Sequence, residues 1–121
     1  MDDHELFTEA LRTFLQRDPR FEIVGTATTG REAVRAAKSA PVDVVLMDMS
    51  MPVLDGVAAT RRLRALEPAP HVIAVSAHTD RLSRAAALEA GAAAFLTKGE
   101  AHEKLSETIV DVCRGRLTGA A

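Results

Sequence analysis

Val42-Asp43-Val44-Val45-Leu46-Met47-Asp48 is apolar apart from Asp43 until Asp48 closes it. A strand with one wet face alternates apolar and polar residues, so an unbroken apolar run suits a strand covered on both faces, as in a parallel sheet. The run reads as a strand over 42–47. Just before it, Pro41 breaks a helix read over 31–39. Just after it, Met49-Ser50-Met51-Pro52-Val53-Leu54 leads to Asp55, a favourable N-cap, and to a helix whose Ala59, Leu63 and Leu66 share one face up to Pro68.

The same alternation of periods continues outward. Residues 71–77 form a second buried-strand pattern, and Thr79 or Asp80 can cap a helix that runs to Ala90 and stops at Gly91. A last strand is read over 93–97 and a last helix over about 100–114, with Leu105, Ile109, Val112 and Cys113 on its buried side. Toward the amino terminus, Leu6, Phe7, Ala10, Leu11, Phe14 and Leu15 recur at helical spacing and stop before Pro19. The β-branched stretch 21–27 is expected to be a strand, followed by a turn at Thr28-Thr29-Gly30. A helix followed by four strand-helix units is the pattern of an open, doubly wound α/β sheet.

Bulk properties narrow the function. A chain of 121 residues is one domain's length, and 47% hydrophobic with 26% charged residues is ordinary for a globular protein. Fifteen Lys and Arg are scattered among 17 Asp and Glu, for a net charge of -2, so the basic stripe of a nucleic-acid binder is missing and no direct nucleic-acid partner is expected. Cys113 is the single cysteine, which leaves no intramolecular disulfide. No apolar run approaches the roughly 20 residues that span a bilayer, and Met1-Asp2-Asp3-His4-Glu5 is acidic where a secretory signal is basic. The expected compartment is the cytoplasm, with no membrane partner.

In doubly wound sheets, ligands bind outside the carboxyl ends of the strands. Asp48 ends one strand, Ser76 lies near the end of the next, and Lys98 follows the last; Asp2 and Asp3 precede the first helix. Two or three carboxylates there supply hard oxygen ligands suited to Mg²⁺. A lysine charge and a serine hydroxyl suit the oxygens of a phosphoryl group in transfer, and a carboxylate nucleophile would then form an acyl phosphate.

Each residue also has a plainer reading. Asp48 could cap a helix or merely pair with Lys98; Asp2 and Asp3 could be charges favoured by a helix macrodipole; Ser76 could be a structural hydroxyl. His4 and His78 could ligate a transition metal but read more readily as surface histidines. Phe95 is by default core packing. Their common placement at strand ends favours the chemical reading.

Asp2-Asp3-His4-Glu5-Leu6-Phe7, Val44-Val45-Leu46-Met47-Asp48-Met49-Ser50-Met51-Pro52 with Asp55-Gly56, Val75-Ser76-Ala77, and Gly91-Ala92-Ala93-Ala94-Phe95-Leu96-Thr97-Lys98 together resemble a response-regulator receiver domain of two-component systems. Within that family the chain is most similar to the NarL/FixJ branch, whose members usually carry a LuxR-type helix-turn-helix after the receiver. The resemblance covers essentially the whole chain, read as a receiver over 1–116 with 117–121 a disordered tail or the start of an absent linker.

The resemblance implies a flavodoxin-like (CheY-like) fold with strand order 2-1-3-4-5 and a sensor histidine kinase as partner. It implies that Asp48 is the phosphoacceptor, and that Asp3, Asp48 and the backbone carbonyl of Ser50 hold Mg²⁺ with support from Asp2. Ser76 then matches the hydroxyl that turns toward the phosphoryl group, Ala77 the small residue that leaves room for it, Lys98 the phosphate-pairing lysine, and Phe95 the aromatic switch. Receivers of this kind often pair through their fourth and fifth units, and the apolar content of 82–88 permits a homodimer.

The sequence departs from the family in two places. Members begin with a strand before the acidic pair, and here only Met1 precedes Asp2, so that strand is expected to be missing or truncated and the chain alone less stable and a weak Mg²⁺ binder. Nothing after Arg116 could form a helix-turn-helix, so transcriptional output is expected of a longer parent protein or a partner.

Two other functions compete with this one. A degenerate receiver-like binding module would ignore phosphodonors. A haloacid-dehalogenase-type phosphatase requires a second Asp two residues past the nucleophile, where Ser50 stands. The expectation is a signalling domain and not an enzyme.

Overall fold

The computed structural model describes residues 3–25, 27, 30–49, 53–76 and 81–114, with the backbone course alone for 3–8, 53–55, 83 and 102. The elements run α1 (Asp3–Gln16), α2 (Gly30–Ser39), β1 (Val44–Asp48), α3 (Val53–Arg64), β2 (His71–Ser76), α4 (Arg81–Glu89), β3 (Ala94–Thr97) and α5 (Lys98–Cys113). The three strands form a parallel sheet in the order β1-β2-β3, with Val44 beside His71, Asp48 beside Val75, and Ser76 beside Thr97.

Two cores sandwich this sheet. On one face Val34 of α2, Val57, Ala59 and Leu63 of α3, and Ala87 of α4 pack on Met47, Val72 and Ala74. On the other, Leu11 and Leu15 of α1 and Ala101, Leu105, Ile109 and Val112 of α5 pack on Ile73 and Leu96. Successive strand residues point to opposite faces, so a strand feeding two cores must be apolar throughout. Residues 72–76 of β2 are all buried, as the middle strand requires, whereas β1 buries fully only Met47. This is the doubly wound architecture that the alternation of periods predicts, and it is flavodoxin-like as the resemblance implies.

Four local expectations need correction. Residues 21–25, expected as a strand, follow an irregular course outside the sheet, because a β pattern becomes a strand only where a neighbour supplies ladder hydrogen bonds. Asp55 is not the N-cap of α3, which already begins at Val53. Cys113, placed on the buried side of α5, is exposed, while Val112 beside it is fully buried. Finally, α5 begins at Lys98 and not at Glu100, with Thr97 as its N-cap.

The end of α4 goes as read. The Ala92 amide donates to the Ala87 carbonyl at 3.0 Å and the Gly91 amide to Leu88 at 3.1 Å, the paired bonds of a Schellman motif. Gly91 at φ +113° supplies the turn. Among the described residues no helix is long and apolar enough to cross a membrane.

Candidate functional site

Asp48 is the last residue of β1, and the ladder with β2 holds it there. Its Cα pairs with Val75, and the next amide, Met49, donates to the Val75 carbonyl at 2.7 Å. The Met49 side chain is 1% exposed, so the residue after Asp48 is anchored in the core. The Asp48 carboxylate therefore stands at a fixed point at the carboxyl end of the sheet, 22% exposed.

Lys98 arrives from the other side of β2. It is the first residue of α5, directly after β3, and its Nζ lies 3.2 Å from Asp48 Oδ2 with its side chain 16% exposed. β1 and β3 are second neighbours, about 9–10 Å apart at ordinary strand spacing. The ion pair thus spans the carboxyl end of β2, where Ser76 lies almost fully buried at 1% exposure.

Helix electrostatics alone would not choose a lysine here. A cation in the first turn opposes the macrodipole by about 0.3–1 kcal/mol, and an ion pair of this exposure returns roughly 1 kcal/mol at most.

The start of α5 is fixed by a capping box that the sequence reading passed over. The Thr97 hydroxyl accepts from the Glu100 amide at 3.3 Å, and the Glu100 carboxylate accepts from the Thr97 amide at 3.0 Å. The signal was present as Thr97-Lys98-Gly99-Glu100. Locking Thr97 and Glu100 sets the direction of Lys98 between them. The Thr97 amide, with Lys104 at 2.9 Å, also holds the Glu100 carboxyl below the usual glutamate range.

Of the other candidates, Phe95 is half-buried against the α2–α4 core and sits beside Ala74 in register. Strand alternation puts Phe95, Ala74 and Ser76 on one face, the face covered by α4. Asp3 opens α1, but its carboxylate lies outside the described residues, as do Asp2, Ser50, Ala77 and the side chains of His4 and His78. The structure thus brings Asp48, Lys98 and the end of β2 together. Among the described residues no group of three or more His, Cys, Asp or Glu could hold a metal ion.

A parallel sheet with an acidic residue at one strand end and a lysine reaching it across the next defines the class: the chain belongs to the response regulator receiver domain family, whose model matches residues 1–110. Regulators of the NarL/FixJ branch are among the proteins it is similar to. It is 37% identical to the response regulator UvrY of Escherichia coli over 96% of this chain and 53% of that protein. The signal receiver domain of the response regulator NarL from Mycobacterium tuberculosis superposes with a TM-score of 0.85 at 33% identity, covering 95% of this chain and 93% of that one. The receiver domain of the sensor histidine kinase PA1611 from Pseudomonas aeruginosa, solved with a magnesium ion coordinated in its active-site cleft, gives 0.79 at 28% identity over 94% and 93%. The chain spans about half the length of the curated relatives it matches.

Proposed function

We propose that this chain is the phosphoacceptor switch of a two-component response regulator, with Asp48 taking a phosphoryl group from a phosphohistidine of a sensor histidine kinase. The observation that supports this most is the 3.2 Å approach of Lys98 Nζ to the Asp48 carboxylate across the end of β2. A carboxylate oxygen of Asp48 attacks phosphorus, the P–N bond breaks, and the leaving imidazole nitrogen takes up a proton. The product is an acyl phosphate on Asp48. Lys98 then lies against the phosphoryl oxygens and offsets their added negative charge.

Asp48 offers one partly exposed hard oxygen donor at the strand end, chemistry that fits Mg²⁺. Asp2, Asp3 and the Ser50 carbonyl are the proposed further donors. Bound there, the ion would neutralise carboxylate and phosphoryl charge during transfer.

Ser76 and Phe95 would relay the change, since both lie on the face covered by α4. A hydroxyl drawn toward the phosphoryl group leaves space that an aromatic ring on the same face can enter, a two-state element biased by local charge. Output would pass through α4, where Leu82 is 83% exposed and offers an apolar contact for a homodimer or effector. We place the domain in the cytoplasm, as the switch of a longer transcription regulator.

The test is incubation with acetyl phosphate and Mg²⁺. Intact mass should rise by one phosphoryl group, and Asp48→Asn should abolish the gain. Partner binding that ignores both the phosphodonor and Asp48→Asn would favour the unregulated binding module instead.

A further inference from the structure

β3 ends at Thr97, whose Cα pairs with Ser76, so the ladder gives out one residue before Lys98. Lys98 is therefore placed chiefly by the first turn of α5. That turn starts abruptly. Thr97 is still extended, at φ -80° and ψ 156°, and the next residue is helical. A helix start frays readily, because its first N–H groups have no partner within the helix. Here the amides of Thr97 and Glu100 are both engaged by the Thr97–Glu100 box, at 3.0 and 3.3 Å.

The Glu100 carboxylate has a second engagement. Its Oε1 accepts from the Thr97 amide and its Oε2 from Lys104 Nζ at 2.9 Å. Residues two apart on a helix do not face each other, so Glu100 does not compete with Asp48 for the Lys98 ammonium. The two lysines of the first two turns are thus sorted. Lys104 goes to Glu100, and Lys98, its side chain 16% exposed, goes to Asp48.

We propose that Glu100 is a positioning residue for phosphoryl transfer: by closing the Thr97 box and drawing Lys104 to itself, it holds the head of α5 so that the Lys98 ammonium faces the Asp48 carboxylate. The inference rests on the reading of Asp48 as phosphoacceptor and adds to it a residue that acts through Lys98. Without the Glu100 side chain the Thr97 amide loses its acceptor, and Lys98 sits on a frayed turn with a wider swing. Misplacing a group by about 1 Å at a reacting centre can cost on the order of a hundredfold in rate. Lys98 is one of several groups there, so a loss of about fivefold is expected for Glu100→Ala.

Two readouts on Glu100→Ala and Glu100→Gln test this, and the first needs no phosphorylation. Lysines are acylated with a small succinimidyl ester and followed by mass spectrometry. In the parent, ion-paired Lys98 should react more slowly than exposed Lys38. In Glu100→Ala it should react at least about threefold faster than in the parent, as a locally opened turn allows. Glu100→Gln keeps an acceptor for the Thr97 amide and should stay near the parent. The second readout is the rate of acyl phosphate formation from acetyl phosphate with Mg²⁺. Glu100→Ala should lower it about fivefold in the parent and less than about twofold in a Lys98→Ala background, while shifting the urea midpoint equally in both. Unchanged labelling of Lys98 would overturn the proposal. Equal rate losses in the two backgrounds would also overturn it and make Glu100 merely structural. A parent that takes up no phosphoryl group would refute the proposed function instead, and the labelling would still decide whether Glu100 holds Lys98.

Discussion

Lys98 Nζ and Asp48 Oδ2 meet at 3.2 Å although Asp48 ends β1 and Lys98 follows β3, strands that do not pair, with β2 lying between them. The pair is therefore held by the sheet and by the start of α5, not by local sequence. Its chemical use and its structural use can be separated.

Lys98→Ala should change folding stability by no more than about 1 kcal/mol. The lost ion pair is worth roughly that at most, and removing a cation from a helix start returns a similar amount. Phosphoryl transfer should suffer far more, with acyl phosphate formation or the conformational response to it reduced at least about tenfold, equivalent to about 1.4 kcal/mol or more. Urea denaturation and the acetyl phosphate assay measure the two effects on the same variant. A large stability loss with normal phosphorylation would make Lys98 structural.

Gly91→Ala tests the end of α4. A side chain is strained at φ +113°, and a Cβ there would come within 2.8 Å of Arg64 Cγ. Arg64 is itself tied down, donating from Nη1 to the Pro70 carbonyl at 2.9 Å. A loss of about 1–2 kcal/mol is expected in chemical denaturation. Arg64→Ala in the same chain should recover only part of it, because the contact is relieved and the backbone strain is not.

The sheet and both cores were legible because burial on two faces leaves unbroken apolar runs. Leu46-Met47 and Val72-Ile73-Ala74-Val75 could hardly be anything else in a chain of this length. The stretch 21–27 misled because period two records what a segment could pair with, not whether a partner is present. The start of α5 lies two residues before the expected Glu100 because the Thr97–Glu100 capping box draws Lys98 into the first helical turn. Of the adjacent pair expected to be buried, Val112 is and Cys113, one position on, turns out of the apolar stripe. Of the candidate site, Asp48 and Lys98 were readable from strand ends alone. No sequence period could show that Met49 is buried under Gly56, because that contact joins a strand end to a helix across a loop.

Gly56→Ala addresses that contact. Its Cβ would fall 2.8 Å from Met49 Sδ, a side chain with almost no exposure through which to retreat. Overpacking of this kind costs about 1–3 kcal/mol, against a gain of about 1 kcal/mol from replacing glycine within a helix. Net destabilisation of roughly 1 kcal/mol is expected. In a Met49→Ala background the clash is gone and the same substitution should become neutral or stabilising, a reversal of sign that a double-mutant cycle in urea would register.

The capping box of α5 predicts a pH dependence with a definite sign. The Thr97 amide and then Lys104 hold the Glu100 carboxyl below its ordinary value of 4.5, so the folded state gives up this proton more readily than the unfolded chain. The charge-dependent part of its stabilisation is complete above the unfolded value and disappears as pH falls through the lower, folded one. Glu100→Gln keeps an oxygen for the Thr97 amide but not the charge, so it should be less stable than the parent at neutral pH and match it in strong acid. Thr97→Ala removes the hydroxyl cap instead and should cost about 1 kcal/mol at every pH. Stability curves of the three proteins from neutral pH to about pH 3, which brackets the glutamate range, distinguish the two halves of the box. A constant offset for Glu100→Gln would show that the Glu100 charge contributes nothing to holding Lys98 at the head of α5.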